Sequence, residues 1–192
     1  MILFTENLKR GTRLLTKDIF IDTDCISAFL WVGNESLLAQ LYPGCIVMPK
    51  PVYDEIDKPN LSWMKDRVDS MIQAGALTVV ELTAGTEEFE LYYKMTENPD
   101  KGHKIIGYGE ASSIALAKAK SGIVASNNFR DILSYIEEFS LEYITTADIL
   151  VDAYRRGIID ENQGNVIWEK MLKKKRRLGA ASFSDYLATL SQ

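Results

Sequence analysis

Histidine is nearly absent from this chain: His103 is the sole one in 192 residues. A metal site built from several imidazoles, or a Ser-His-Asp triad with a choice of base, is therefore poorly supplied. His103 sits beside Gly102 and Lys104 in a stretch of loop composition, where a solvated ring is the ordinary expectation. Cysteine is as scarce. Cys25 and Cys45 form no Cys-x-x-Cys pair, and two scattered thiols fit packing roles in a reducing compartment better than a disulfide. Long apolar runs are missing too, so no segment is expected to span a bilayer. Met1 to Asp18 carries Glu6, Lys9, Arg10, Arg13 and Lys17 and lacks the unbroken apolar stretch of a signal peptide. The expected location is cytoplasmic. Positive charge is not in excess: 22 Lys and Arg face 27 Asp and Glu, a net charge of −5. That excludes a surface that traps nucleic acid everywhere, but not a local basic face.

Apolar residues make up 46% of the chain and charged residues 26%, enough for one domain with a sizeable core. No repeat, low-complexity tract or linker divides it. Short apolar runs predict strands at Ile19 to Asp22, Cys45 to Met48, Leu77 to Leu82 and Ile123 to Ala125, with an edge-like fifth at Glu142 to Thr145. Helical spacing fills the intervals. A first helix opens at Ile26 to Leu30, with Asp24 or Ser27 available as its cap, and Glu35 to Leu41 continues helical. A helix starts at Val52, after Pro49 and Pro51 restrict the backbone. Others are predicted over Trp63 to Gln73, Glu87 to Met95, Gly109 to Lys120, Phe129 to Glu137, Asp148 to Arg156, Glu161 to Lys174 and Phe183 to Leu190. Strands alternating with helices imply an α/β fold, a parallel sheet covered on both faces.

Such a sheet places chemistry at the carboxyl ends of its strands. Ile19-Phe20-Ile21 runs straight into Asp22, and Ile123-Val124-Ala125 into Ser126-Asn127-Asn128. Glu110 opens the long Ala-rich helix, and Glu55 lies near the start of the helix after Pro51. Acids gathered at strand exits commonly hold a divalent cation, and Mg²⁺ prefers oxygen donors. Hydrolysis of a phosphodiester needs a nucleophilic water and relief of phosphate charge, both of which hard cations supply. Each residue also has a plain structural reading. Asp22, Asp24 and Thr146 suit helix caps, while Glu55 and Glu110 suit first turns, where acids complement the helix dipole.

In order and spacing these residues resemble the PIN-domain family, which includes Mg²⁺- or Mn²⁺-dependent ribonucleases and toxins of toxin–antitoxin pairs. Ile21-Asp22-Thr23 matches the family's first strand end. Pro49 to Glu55 matches its proline-marked helix, and Gly109-Glu110-Ala111 its next helix start. Ser126-Asn127-Asn128 stands where the family prefers Thr-Asp-Asp. The stretch from Ile144 through Leu150 to Gly157-Ile158-Ile159 is similar to the family again.

The resemblance implies a three-layer α/β/α fold with a mainly parallel sheet of about five strands. It divides the single domain of residues 1–192 into an N-terminal extension (1–17), a core (18–160) and a helical appendage (161–192). It implies Mg²⁺ or Mn²⁺ held by Asp22 and Glu110 with Asn127 beside them, and Glu55 orienting the attacking water. Asp24, Asn128, Thr146 and Asp148 would be accessory. It further implies an RNA substrate, and an antitoxin, another protein or a second copy of the chain as partner. Neutral Asn127 and Asn128 bring less charge than Asp, so weaker metal binding is expected. That keeps open a second class, a module that binds RNA or a partner without cleaving.

Lys173-Lys174-Lys175-Arg176-Arg177 either complements a helix C-terminus or contacts RNA. Asp22-Thr23-Asp24 also resembles the nucleophile loop of haloacid-dehalogenase-like phosphatases, although no late acidic motif completes that pattern. The Gly107-Tyr108-Gly109 turn is too loose a match for a dinucleotide loop.

Overall fold

The short apolar runs become a sheet. In the computed structural model, which describes residues 17–190, five strands pair in the order β3-β2-β1-β4-β5, every pairing parallel. They are β1 (Ile19–Ile21), β2 (Ile46–Pro49), β3 (Thr78–Val80), β4 (Ile123–Ala125) and β5 (Glu142–Ile144). Except for Lys17, the N-terminal extension expected over residues 1–17 lies outside the described residues, as do Ser191 and Gln192.

Alternation along each strand sorts side chains to opposite faces. Ile19, Ile21, Ile46, Met48, Ile123, Ala125 and Ile144 belong to one core cluster. Seven helices pack there: α1 (Thr23–Val32), α2 (Ser36–Leu41), α3 (Lys50–Ile56), α4 (Ser62–Gln73), α8 (Thr146–Arg155), α9 (Glu161–Lys173) and α10 (Phe183–Leu190). Phe20, Val47 and Val124 belong to the other cluster, under α5 (Glu87–Glu97), α6 (Tyr108–Lys120) and α7 (Phe129–Glu138). The fold is the expected three-layer α/β/α, with a sheet wholly parallel rather than mainly so.

Several boundaries shift for local reasons. β3 stops at Val80, not Leu82, because its last partner is Pro49, and α3 begins at Lys50. Pro51 suits that helix start, where a missing N–H is harmless, so α3 begins two residues before Val52. α1 begins at Thr23 and is capped by Asp22, not by Asp24 or Ser27. The Asp22 N–H stays in the sheet on the Ala125 carbonyl, while its side chain accepts from Cys25 N–H at 2.7 Å. α8 is capped by Thr145 rather than Thr146: the Thr145 hydroxyl accepts Asp148 N–H, and the Asp148 carboxylate accepts Thr145 N–H in return. His103 is not a solvated loop residue. Its ring stacks on Tyr135 at 4.4 Å, with Ser134 and Glu138 at its two nitrogens.

The C-terminal segment shares the core. Ile167, Trp168, Met171, Leu178 and Phe183 are buried in the cluster that holds β1. Gly164 is required in α9 because a Cβ there would collide with the Phe183 ring. Among the described residues, no helix is long and apolar enough to cross a membrane.

Candidate active site at the reversal of strand order

The chain leaves β1 toward β2 and β3 on one side, then returns to place β4 and β5 on the other. Ligands of open α/β sheets bind where the order reverses, beyond the carboxyl ends of the strands. Here that point lies between Asp22, after β1, and Ser126, after β4. A cleft of about 360 Å³ opens at this place, and Asp22, Asp24, Glu55 and Glu110 all line it.

Asp22 is the buried member, 1% exposed. One oxygen accepts the Cys25 N–H, and the Ser126 hydroxyl donates to the carboxylate. Burial outweighs both bonds and pushes its pKa up to about 7, with small additions from the charges of Asp24 and Glu110. Neither group holding Asp22 carries a positive charge.

Glu55 reaches the cleft from α3 and is fixed by two donors. Gly109 N–H lies 3.2 Å from Oε1, and the Thr23 hydroxyl donates to Oε2. Gly109 permits this approach, since a Cβ there would press on both Thr23 and Glu55. Glu110, in the first turn of α6, folds back to accept Gly107 N–H at 2.8 Å. Its other oxygen accepts from the Asn128 amide at 2.7 Å. Asp24 is more open and pairs with Arg176 Nη1 at 2.7 Å.

The amides hold a different network. Asn128 donates to Asp131 as well as to Glu110, so a neutral donor sits between two carboxylates where an acid would repel both. Asn127 does not line the cleft. Its carbonyl accepts Thr146 N–H and its amide donates to the Thr146 hydroxyl, both at 2.9 Å. Thr146 touches Cys25 in turn, so this network adjoins the acids from behind. Asp148 lies further along it, 7% exposed, accepting from Thr145 and from the Tyr186 hydroxyl at 3.3 Å. Its burial raises its pKa as well.

The basic run divides its labour. Lys173 pairs with Glu169, Lys174 lies over the Trp31 ring at 4.9 Å, and Lys175 and Arg177 are exposed. Arg176 alone lines the cleft. Sequence reading did not single out Thr23 or Arg176 as cleft residues, nor Ser126 as a donor to Asp22. Thr23 follows Asp22 directly and could have been read with it. Arg176 meets Asp24 across 152 residues, which no local pattern reveals.

The family model DUF3368, described as a PIN domain, matches residues 18–192. The chain belongs to the PIN-domain family. No curated protein matches it. The PIN fold is nuclease-like, and PIN domains generally use divalent metal ions. The phosphatase-like reading of Asp22 and Asp24 is left without support by this membership.

In this PIN domain the donor chemistry suits a hard cation. The cleft acids offer oxygen alone, and among the described residues Asp22 is a buried carboxylate held without a counter-charge. Among the described residues no group of three His, Cys, Asp or Glu is assembled tightly enough to hold an ion unaided. The carboxylates are presently taken up by hydrogen bonds instead: Glu110 by Gly107 and Asn128, Glu55 by Gly109 and Thr23. Oxygen donors of this kind suit a hard divalent ion that keeps waters of its own.

Proposed function

We propose that this PIN domain is a metal-dependent ribonuclease that hydrolyses phosphodiester bonds of single-stranded RNA. The observation that carries the reading is Asp22, a carboxylate buried at the reversal of strand order, with Asp24, Glu55 and Glu110 lining the same cleft and, among the described residues, no cation on Asp22 itself. Burying a carboxylate is costly, and a carboxylate with a raised pKa beside a cleft marks a candidate functional site. Asp22 and Glu110 would hold Mg²⁺ or Mn²⁺. A bound ion supplies charge relief on the phosphate and a more acidic water. Glu55, steadied by Gly109 N–H and the Thr23 hydroxyl, orients the attacking water. Asn127 acts from behind, fixing the start of α8 through Thr146.

A second reading draws on Asn127 and Asn128. With amides in place of the family's acids, the domain would bind RNA or a partner protein without cleaving. A role as the toxin of a toxin–antitoxin pair is narrower still and turns on whether a small neighbouring reading frame encodes a binder.

Cleavage of a labelled single-stranded oligoribonucleotide separates these readings. We expect slow cleavage with Mn²⁺ and none with a chelator. Asn127→Asp should strengthen Mn²⁺ binding and raise the rate by adding negative charge behind the cleft acids, and Thr146 N–H and its hydroxyl can still donate to a carboxylate there. No cleavage by either protein would put the binding module ahead, and cleavage that survives chelation would contradict the metal mechanism.

A further inference from the structure

We propose that Arg176 is the phosphate-binding residue of the cleft, receiving a backbone phosphate beside the scissile one and exchanging its contact with Asp24 for that phosphate. The inference rests on RNA being the ligand of this cleft and goes on to name the group that admits it. A chain of net charge −5 with four acids in one cleft repels a polyanion. A cation must offset that repulsion where the substrate enters, and Arg176 is the cation lining this cleft among the described residues.

Its position is built rather than incidental. α9 ends in a Schellman turn: Lys175 takes a left-handed conformation at φ 60°, its N–H reaches the Leu172 carbonyl, and Arg176 N–H reaches the Met171 carbonyl. The turn sends Arg176 back toward α1, where Nε donates to the Lys174 carbonyl and Nη1 to Asp24, with Ser27 Oγ 3.4 Å away. The guanidinium is thereby held before any ligand arrives, which lowers the entropy lost on binding. Its present partner is replaceable. The pair is partly exposed, the Arg176 side chain at 24% and that of Asp24 at 45%, and such ion pairs contribute modestly to stability, so a phosphate can take the place of Asp24. A planar fork also matches two phosphate oxygens, as an ammonium cannot. Lys174, two residues before Arg176, lies over the Trp31 ring.

The rival role for the same contact is a fixed counter-charge to the acids, and the two roles predict opposite behaviour. The test measures fluorescence anisotropy of a labelled single-stranded oligoribonucleotide with the full chain in chelator, where no cleavage proceeds, and then KM and kcat in Mn²⁺. Arg176→Ala should weaken binding about tenfold or more and lower the salt slope by roughly 0.7, the value for one phosphate contact on a single strand. KM should rise while kcat changes little. Arg176→Lys should restore the salt slope but only part of the affinity. Asp24→Asn should tighten binding by freeing the guanidinium. Wild-type affinity and slope in Arg176→Ala, or weaker binding in Asp24→Asn, would overturn the proposal. If wild type cleaves but is indifferent to Arg176→Ala, this inference fails alone. If RNA binding depends on Arg176 but no cleavage occurs, the ribonuclease reading fails, and Arg176 stands as the phosphate-binding residue of an RNA-binding cleft with no scissile phosphate beside it. If wild type neither binds nor cleaves, both fail.

Discussion

Asp22→Asn is expected to abolish cleavage and, at about pH 8, to make the fold more stable by up to about 4 kcal/mol. The sign follows from linkage. Burial raises the folded-state pKa of Asp22 from 3.8 to about 7, so the folded chain binds this proton more tightly than the unfolded chain. Below the unfolded value both states are protonated and the group has no effect. Stability then falls as the pH rises between the two values, and the full penalty is present above the folded one. Asparagine carries no charge to desolvate. Its carbonyl can still accept Cys25 N–H, so the cap on α1 survives. Urea melts of both proteins at about pH 4 and about pH 8 measure the effect. The two should be nearly equal at the acid pH, with the variant clearly ahead at the alkaline one. A variant less stable than wild type at about pH 8 would show that the Asp22 charge is already compensated in the free protein.

Phe183→Ala is expected to cost about 3–5 kcal/mol and to lower the melting temperature by roughly 6–20 °C. Phe183 is fully buried. Its ring sits over Gly164, 5.8 Å from the Trp168 ring and 5.9 Å from that of Tyr154. Those neighbours belong to α8 and α9, whose backbones are held elsewhere, so the cavity left by truncation cannot readily collapse. The same packing seats Tyr186, whose hydroxyl reaches Asp148. A melting temperature within a degree or two of wild type would mean that residues 161–190 lie on the core without supporting it.

The strands were legible because a parallel sheet buries both faces, so each strand reads as a short apolar run. Ile19-Phe20-Ile21 and Ile123-Val124-Ala125 have no polar residue to confuse the pattern. Helix starts were less legible, since caps depend on which residue leaves the sheet. Asp22 serves the sheet through its N–H and the helix through its carboxylate, and composition cannot assign that double role. At the site, Glu55 and Glu110 stood out through their order along the chain, and the structure brings them to one cleft with Asp22. Asn127 and Asn128 read only as missing charge. Their donor bonds to Thr146, Glu110 and Asp131 appear once three distant segments meet. Arg176 looked like one of five consecutive cations, and only the turn at Lys175 sets it apart.

Direct calorimetric titration with Mn²⁺ at about pH 7 decides whether the Asp22 cleft is a cation site. Wild type should bind Mn²⁺ and release a proton as it does so, because Asp22 is partly protonated at that pH and must ionise to act as a ligand. Repeating the titration in buffers of different ionisation enthalpy detects that proton. Asp22→Asn should show neither binding nor release. Wild type that takes up no Mn²⁺ at millimolar concentration, or Asp22→Asn that binds it equally well, would contradict the account.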